Sequence, residues 1–299
     1  MTALISSLEG THAGHVTALC LALLAAILHA IFGALQKGRH DPWLSRAAID
    51  ACYGLMSLPL ALFLVPWPTP RLWLLLGGAF VIHVVYKLLQ AMTYERGAYT
   101  VVYPVVRGIG PFFAVIGATV VFGEHFTPGQ WGGVMMLMSG ILGFAVYNYR
   151  HVSVDRDTLV PALGFAVATG AFVALYTTYD AYGIRAAADP FTFLAWFFTI
   201  DGIFMPVFTR RRWRVLPASE LVPLLKRGVL GAFVAWFSFG SIMMATRLDK
   251  VGEAAVLRET STVWAALIGW LVLGEKVGPR RLALMVLIAA GAIVVELAG

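Results

Sequence analysis

Two passages of this chain, Gly97 to Gly143 and Leu248 to Gly291, repeat one pattern: an apolar helix carrying a single arginine, a Gly-Glu corner, then an apolar helix rich in small residues. Aligning Gly123-Glu124 on Gly274-Glu275 sets a spacing of 151 residues (275 − 124), and the same spacing carries Arg107 onto Arg258. The chain is therefore doubled, and each copy places a strong cation where an apolar helix would least tolerate one.

Composition decides what kind of helix this is. Hydrophobic residues make up 60% of the chain and charged residues 13%, with a mean hydropathy of +0.80, whereas a soluble domain carries about a quarter charged residues. A soluble fold is excluded. A membrane helix needs roughly 20 apolar residues to cross roughly 30 Å of hydrocarbon. About ten runs qualify: 15–36, 43–65, 71–92, 98–122, 127–148, 159–184, 190–209, 228–246, 251–274 and 279–297. The runs are continuous and do not alternate with period two, which predicts an all-α protein of ten transmembrane helices rather than a barrel.

The two cysteines, Cys20 and Cys52, both fall inside predicted spans, so neither a disulfide framework nor a metal cluster is read from them. No Lys or Arg precedes Lys37, so the first run lacks the basic region of a signal peptide and is read as a retained helix. The net charge of +6 does not point to nucleic acid, because the basic residues lie mostly in short loops or at span ends. Loops after spans 1, 3, 5, 7 and 9 hold roughly 15 of them, including Lys37, Arg46, Arg150, Arg210 and Arg281, against roughly four on the other side (Arg71, Arg185, Arg247, Lys250). This bias puts the odd-numbered loops in the cytoplasm and both termini outside. Lys87, Arg107 and Arg258 are left as the basic residues within the bilayer.

The doubling reaches further back. Asp41-Pro42 follows span 1 and Asp189-Pro190 follows span 6, at a spacing of 148 (189 − 41) that small differences in loop length reconcile with 151. Residues 1–148 form a first five-helix repeat, 149–158 a polar connection (YRHVSVDRD lies within it), and 159–299 a second repeat. Because five is odd, the second copy enters the membrane inverted, as in secondary transporters, whose substrate site lies at the repeat interface near the midplane.

The passages YPVVRGIGPFFAVIGATVVFGEHFTPGQWGGVMMLMSGILG and LRETSTVWAALIGWLVLGEKVGPRRLALMVLIAAGAIV resemble the drug/metabolite transporter superfamily, specifically its EamA-type ten-helix members. The segments LHAIFGALQKGRHDP and IHVVYKLLQAMTYERGAYTVVYPVVRG look like a branch some of whose members are associated with phosphonate use. The resemblance spans nearly the whole chain. It implies a 5+5 inverted repeat in a bacterial-type inner membrane and a cavity lined by spans 1, 3, 4, 6, 8 and 9. It further implies ATP-independent movement of a small metabolite, with export the expected direction. Spans 5 and 10 would stand aside as support or as a homodimer contact, which fits Gly132, Gly133, Ser139, Gly140 and Gly143 in one and Ala283, Ala289, Ala290 and Gly291 in the other. Many members have cytoplasmic termini and positive charge after span 2; here that loop is PWPTPR and the charge sits after span 7, as RRRWR.

A charge near the bilayer centre costs at least about 2.5–3.5 kcal/mol on insertion scales, so such residues face a bundle interior or aqueous cavity and are paired. Arg107 shares a helix face with Tyr99 and Tyr103, at i, i+4 and i+8. Pro104 and Pro111 interrupt the same span and free backbone carbonyls. Span 3 carries a stripe of His83, Lys87 and Gln90 with Tyr86 beside it; span 6 offers Tyr176, Tyr179 and Asp180; span 9 offers Arg258, Glu259 and Thr262. Together they would line a site for a small polar solute bearing a negative group, such as an amino acid or an organic or phosphonic acid. In the competing reading they form an internal salt-bridge lattice, with Arg258 neutralised by Glu259 or Asp201, and Lys87 snorkels to the interface. Asp50 and Asp201 are read as structural partners toward the outside of the bundle; Arg258, next to Glu259, has a local acid that Arg107 lacks, so Arg107 is expected to anchor the substrate and Arg258 to be the more structural of the two.

No His-Glu-x-x-His, Gly-x-Ser-x-Gly, Walker or Cys-x-x-Cys motif occurs, so no catalytic residue, cofactor or metal is expected. An intramembrane enzyme acting on a phosphorylated lipid, and a channel or assembly subunit, are the alternatives to a transporter. Small-molecule substrate and lipid bilayer are the expected partners; nucleic acid is not. The loop bias makes a first prediction: alkaline phosphatase fused to the C-terminus should be active and a fluorescent protein fused there dark. The reverse pattern would place the termini in the cytoplasm.

Overall fold

The computed structural model describes residues 2–36, 41–97, 99–151, 156–271 and 278–299, and among them the only regular structure is helix. In the first half lie a short α1 (Thr2–Leu8), then α2 (His12–Gln36), α3 (Pro42–Phe63), α4 (Pro70–Arg96), α5 (Tyr99–Phe122) and α6 (Pro128–His151). The second half contains α7 (Arg156–Ala186), α8 (Pro190–Asp201), α9 (Phe204–Phe208), α10 (Arg210–Arg214), α11 (Ala218–Leu248), α12 (Val251–Arg258), α13 (Ser261–Leu271) and α14 (Pro279–Leu297). Eight described stretches are long and apolar enough to cross a membrane, the first in α2 and the last in α11. Two expected spans depart from a simple apolar helix. The ninth is split into α12 and α13, 8 and 11 residues long, and α14 carries Arg280, Arg281 and Glu296 along its 19 residues. The corner Gly274-Glu275 and residues 152–155 of the connection lie outside the described residues. Helix α6 continues to His151 and α7 starts at Arg156, so the polar connection is shorter than its composition suggests.

The repeated sequence signals are helix-end chemistry. Asp41 caps α3 by accepting from the Trp43 N–H at 2.8 Å, and Asp189 caps α8 by accepting from Thr192 N–H at 3.0 Å and Phe191 N–H at 3.4 Å. The prolines that follow occupy first-turn positions whose N–H groups have no intrahelical partner anyway. Burial works to raise the Asp189 pKa, but donations from Thr2, Thr192 and the two backbone N–H groups outweigh it and hold the carboxyl below its usual range. Gly123 ends α5 in the left-handed region, with φ +68°. That turn aims Glu124 into the other half, where its carboxylate accepts from the N–H groups of Val251 at 2.7 Å and Gly252 at 3.0 Å, capping α12.

Both chain ends and several connections meet on one face, which a polar lattice closes. His15 bridges Asp249 and Glu296, the latter at 3.1 Å, and Arg247 pairs with Glu9 at 2.8 Å. Arg247 also donates to the carbonyls of Ile184 and Ala187, and Arg185 to those of Thr246 and Asp249. Lys250 holds Glu253 at 2.7 Å, a hydrogen bond that raises the lysine pKa. Three of the four basic residues counted on this side are thus tied down by acids or carbonyls.

The halves interleave. Helix α2 lies on α11, α5 and α4 on α7, α3 on α11 and α8, and α6 on α14. Without a hydrophobic drive between helices in lipid, close approach depends on small side chains. In α2, Ala18, Ala22, Ala25, Ala26 and Ala30 are buried, and α11 comes near enough for Ser238 to donate to the Ala25 carbonyl at 3.0 Å. Outward-facing Leu55, Phe63, Val120, Val160 and Ile293 leave an apolar perimeter.

The α6–α14 contact is tighter still. A Cβ at Gly291 would fall 2.6 Å from the Leu137 nitrogen and 2.7 Å from the Gly133 carbonyl oxygen, both backbone atoms that cannot swing aside. Gly133, Gly140, Gly143 and Gly291 are therefore occupied by contacts between α6 and α14 within the chain. Gly291→Ala should lower the melting temperature in detergent, by overpacking worth about 1–3 kcal/mol, while Gly132→Ala, whose Cβ meets nothing within 4 Å, should not. Equal melting temperatures for the two variants would contradict this packing.

Candidate functional site

The α4 stripe points inward. Lys87 is 0% exposed, and its Nζ lies 2.6 Å from Asp50 Oδ2 of α3 and 2.8 Å from Asp201 Oδ2 of α8. It also donates to the Asp201 carbonyl at 2.7 Å and to the Tyr53 hydroxyl at 3.1 Å, and Tyr53 in turn donates to the Asp201 carboxylate. That carbonyl is available because α8 stops at Asp201, where Gly202 approaches α3 so closely that a Cβ there would meet the Asp50 carbonyl at 2.7 Å. Arg46 completes the group: its Nε donates to Asp50 at 2.7 Å and its Nη1 to Gln90 Oε1 at 3.3 Å, while Gln90 Nε2 donates to the Tyr86 hydroxyl at 2.7 Å.

The repeated arginines converge on one acid. The chain breaks between α12 and α13 after Arg258, and the turn at Glu259 and Thr260 directs Glu259 between them. Arg107 Nε lies 2.7 Å from Glu259 Oε2, and Arg258 Nη2 lies 3.7 Å from Oε1. Arg258 Nη2 also donates to Thr177 at 3.1 Å, and the guanidinium stands over the Tyr176 ring at 5.9 Å. Its Nε and the Tyr176 hydroxyl are buried with no partner.

Between these groups His83 Nε2 meets Asp180 Oδ2 at 2.8 Å, linking α4 to α7. The imidazole is boxed by the rings of Tyr176 at 4.6 Å, Phe197 at 4.9 Å and Tyr86 at 6.1 Å. Two narrow cavities flank it. One is bounded by Arg46, Tyr53, His83 and Asp201, the other by Tyr176, Thr177, Asp180 and Arg258, and Phe239 of α11 forms a wall of both.

The structure brings His83, Tyr86, Lys87, Arg107, Tyr176, Asp180, Arg258 and Glu259 into one buried cluster, with Tyr103 buried one turn from Arg107. Tyr179 stays out of it, its hydroxyl lying against Gly78 of α4. The Tyr99 side chain lies outside the described residues. Thr262 is buried with its hydroxyl unpartnered, and α5 runs unbroken through Pro104 and Pro111.

Several expectations need correction. Asp50 and Asp201 are not peripheral: α3 and α8 supply the carboxylates that neutralise Lys87, which therefore does not snorkel. Arg46 is not a loop charge but a fourth buried cation, and its i, i+4 spacing to Asp50 was the signal that could have found it. Arg107 does not lack an acid; it takes the shorter contact to Glu259. Arg258 Nε is buried without a hydrogen-bond partner, and Arg258 lines a cavity.

With this geometry in place, the sequence matches the EamA-like transporter family over residues 16–146 and again over 160–297, and the chain belongs to that family. It is a multi-pass membrane protein of a transporter family, within the drug/metabolite transporter superfamily. A solved structure described only as the crystal structure of a protein aligns with a TM-score of 0.72 at 17% identity, covering 96% of this chain and 99% of that one, a likeness of fold alone. No curated protein matches the sequence.

Removing one partner of a buried ion pair typically destabilises by about 3–5 kcal/mol, because the other charge is left uncompensated. Lys87→Met, which leaves Asp201 without its cation and Asp50 with Arg46 alone, should therefore abolish folded yield or sharply lower the melting temperature, and adding Asp201→Asn should recover part of the loss. A Lys87→Met protein as stable as wild type would rule out this pairing.

Proposed function

We propose that this chain is a ten-span secondary transporter of 5+5 inverted-repeat architecture, with both termini on the outer face of a bacterial-type inner membrane. In this reading α12 and α13 together make the ninth span and α14 the tenth. Its substrate is a small polar metabolite bearing a negative group, an amino acid or an organic or phosphonic acid, moved by alternating access without ATP; export is the direction implied by the family resemblance.

One observation carries the substrate class. Arg258 Nε and the Tyr176 hydroxyl are buried donors without partners, and both residues line a cavity between α7, α11 and α12. Unfilled donors of this kind are costly unless something occupies them part of the time, and a carboxylate or phosphonate matches a guanidinium fork. The broken ninth span supports the same reading, since discontinuous helices at membrane depth are tolerated where they line a cavity. The lattice on the terminus face supports a state closed on that side, and release of the Glu124 cap would belong to the step that opens it.

Purified protein in liposomes should move labelled glutamate or methylphosphonate down its gradient, saturably and without ATP. Covalent alteration of a lipid headgroup would favour the enzyme alternative, and a non-saturating ion current the channel. Arg258→Lys keeps the charge but loses the planar fork, so KM should rise by about tenfold or more, as expected for one charge-assisted hydrogen bond, with the melting temperature little changed. Arg107→Ala should instead destabilise the fold by stripping Glu259 of its closer partner. The opposite assignment of these two effects would make Arg107 the anchor.

A further inference from the structure

The polar interior of the bundle is electrically balanced. Buried around the two cavities are four cations, Arg46, Lys87, Arg107 and Arg258, and four carboxylates, Asp50, Asp180, Asp201 and Glu259, among the described residues. The other buried acid, Glu253, belongs to the terminus face with Lys250. Asp50, Asp201 and Glu259 each have a Lys or Arg within ion-pair distance. Asp180 has an imidazole instead, His83, at 2.8 Å. A guanidinium keeps its charge at any physiological pH, whereas an imidazole changes charge near neutrality.

This pair also occupies a connecting position. His83 lines one cavity and Asp180 the other, with Phe239 walling both. Asp180 Oδ1 is buried without a partner on the same cavity as Arg258 and Tyr176. An anion held at Arg258 would leave the interior with a net charge of about −1, which a low-dielectric site strongly opposes unless compensated. One added proton restores neutrality.

We propose that the His83–Asp180 pair is the proton site of this transporter and takes up one proton with each anionic substrate, an inference that rests on the transport reading above. With the imidazole neutral, its Nε2–H donates to Asp180, so the added proton goes onto Nδ1 and the resulting imidazolium remains paired with the carboxylate. The proton returns to water when the anion leaves. Because linkage is reciprocal, protonation tightens anion binding, and affinity rises as pH falls through the titration of the pair.

The groups facing His83 are mixed in sign. From α3 come Arg46, Asp50 and Tyr53, and from α8 Asp201, which already engages Lys87. From α7 come Tyr176 and Asp180, and from α4 itself Tyr86. Arg258 of α12 acts across the Asp180 cavity, and α11 presents Phe239. His29 of α2, the other buried histidine, rests against the rings of Phe32 and Phe239 with no carboxylate within ion-pair distance among the described residues.

The test begins without substrate. Full-length protein carrying 15N-histidine, followed by NMR from about pH 5 to about pH 8, should show a ring titration that is absent from His83→Gln and displaced in Asp180→Asn. A His83 ring that keeps one protonation state across that range overturns the proposal, whatever transport assays give. Liposomes with a trapped pH dye then test the coupling: wild-type flux of labelled glutamate or methylphosphonate should carry protons in the same direction, and any flux left in Asp180→Asn should carry none. Wild-type flux with no proton movement overturns the coupling. Absence of wild-type flux of either probe counts against the transport reading instead, and leaves the proton site to be decided by the titration.

Discussion

The polar interior of this protein follows from the need to neutralise charge inside an apolar bundle, and Lys87 shows how that need organises the fold. Its ammonium is fully enclosed, and the acids that compensate it come from α3 and from the C-terminal end of α8. The helix end at Asp201 also exposes the carbonyl to which Lys87 donates. The close Gly54–Gly202 approach, the Arg46–Asp50 pair and the Tyr53 hydrogen bond all serve to hold that point.

The second polar centre obeys the same rule with a different remainder. Glu259 serves two arginines unequally, at 2.7 and 3.7 Å, so one guanidinium is closely satisfied and the other is left with an open nitrogen. That inequality ties Arg107 to Glu259 more closely than Arg258, and a buried donor without a partner is costly. Both Arg258 and Tyr176 line the cavity between α7, α11 and α12 that Phe239 also walls.

Helix ends do the remaining work. Both Asp-Pro signals are caps, and the Gly123-Glu124 corner spans the halves by capping α12. Such contacts are made of backbone donors and carboxylate side chains. The glycine-lined α6–α14 seam is of the opposite kind, backbone against backbone, with little room to slide.

Much was legible in the sequence. Membrane class, the doubling, the paired arginines and the inward stripe of α4 are properties of composition and spacing, which helical periodicity converts directly into faces. The Asp-Pro and Gly-Glu repeats were visible as motifs, although the capping by Asp41, Asp189 and Glu124 was not. What only the tertiary structure decided was which charges meet: that Glu259 leans to Arg107, that Asp50 and Asp201 share Lys87, that Arg46 is interior, and that Tyr179 turns away. Those outcomes depend on helix breaks at Gly202 and Glu259 and on separations of a few ångströms between residues far apart in the chain. Periodicity assigns a residue to a helix face but not to a neighbour, and Coulomb energies in a low-dielectric interior are set by the neighbour.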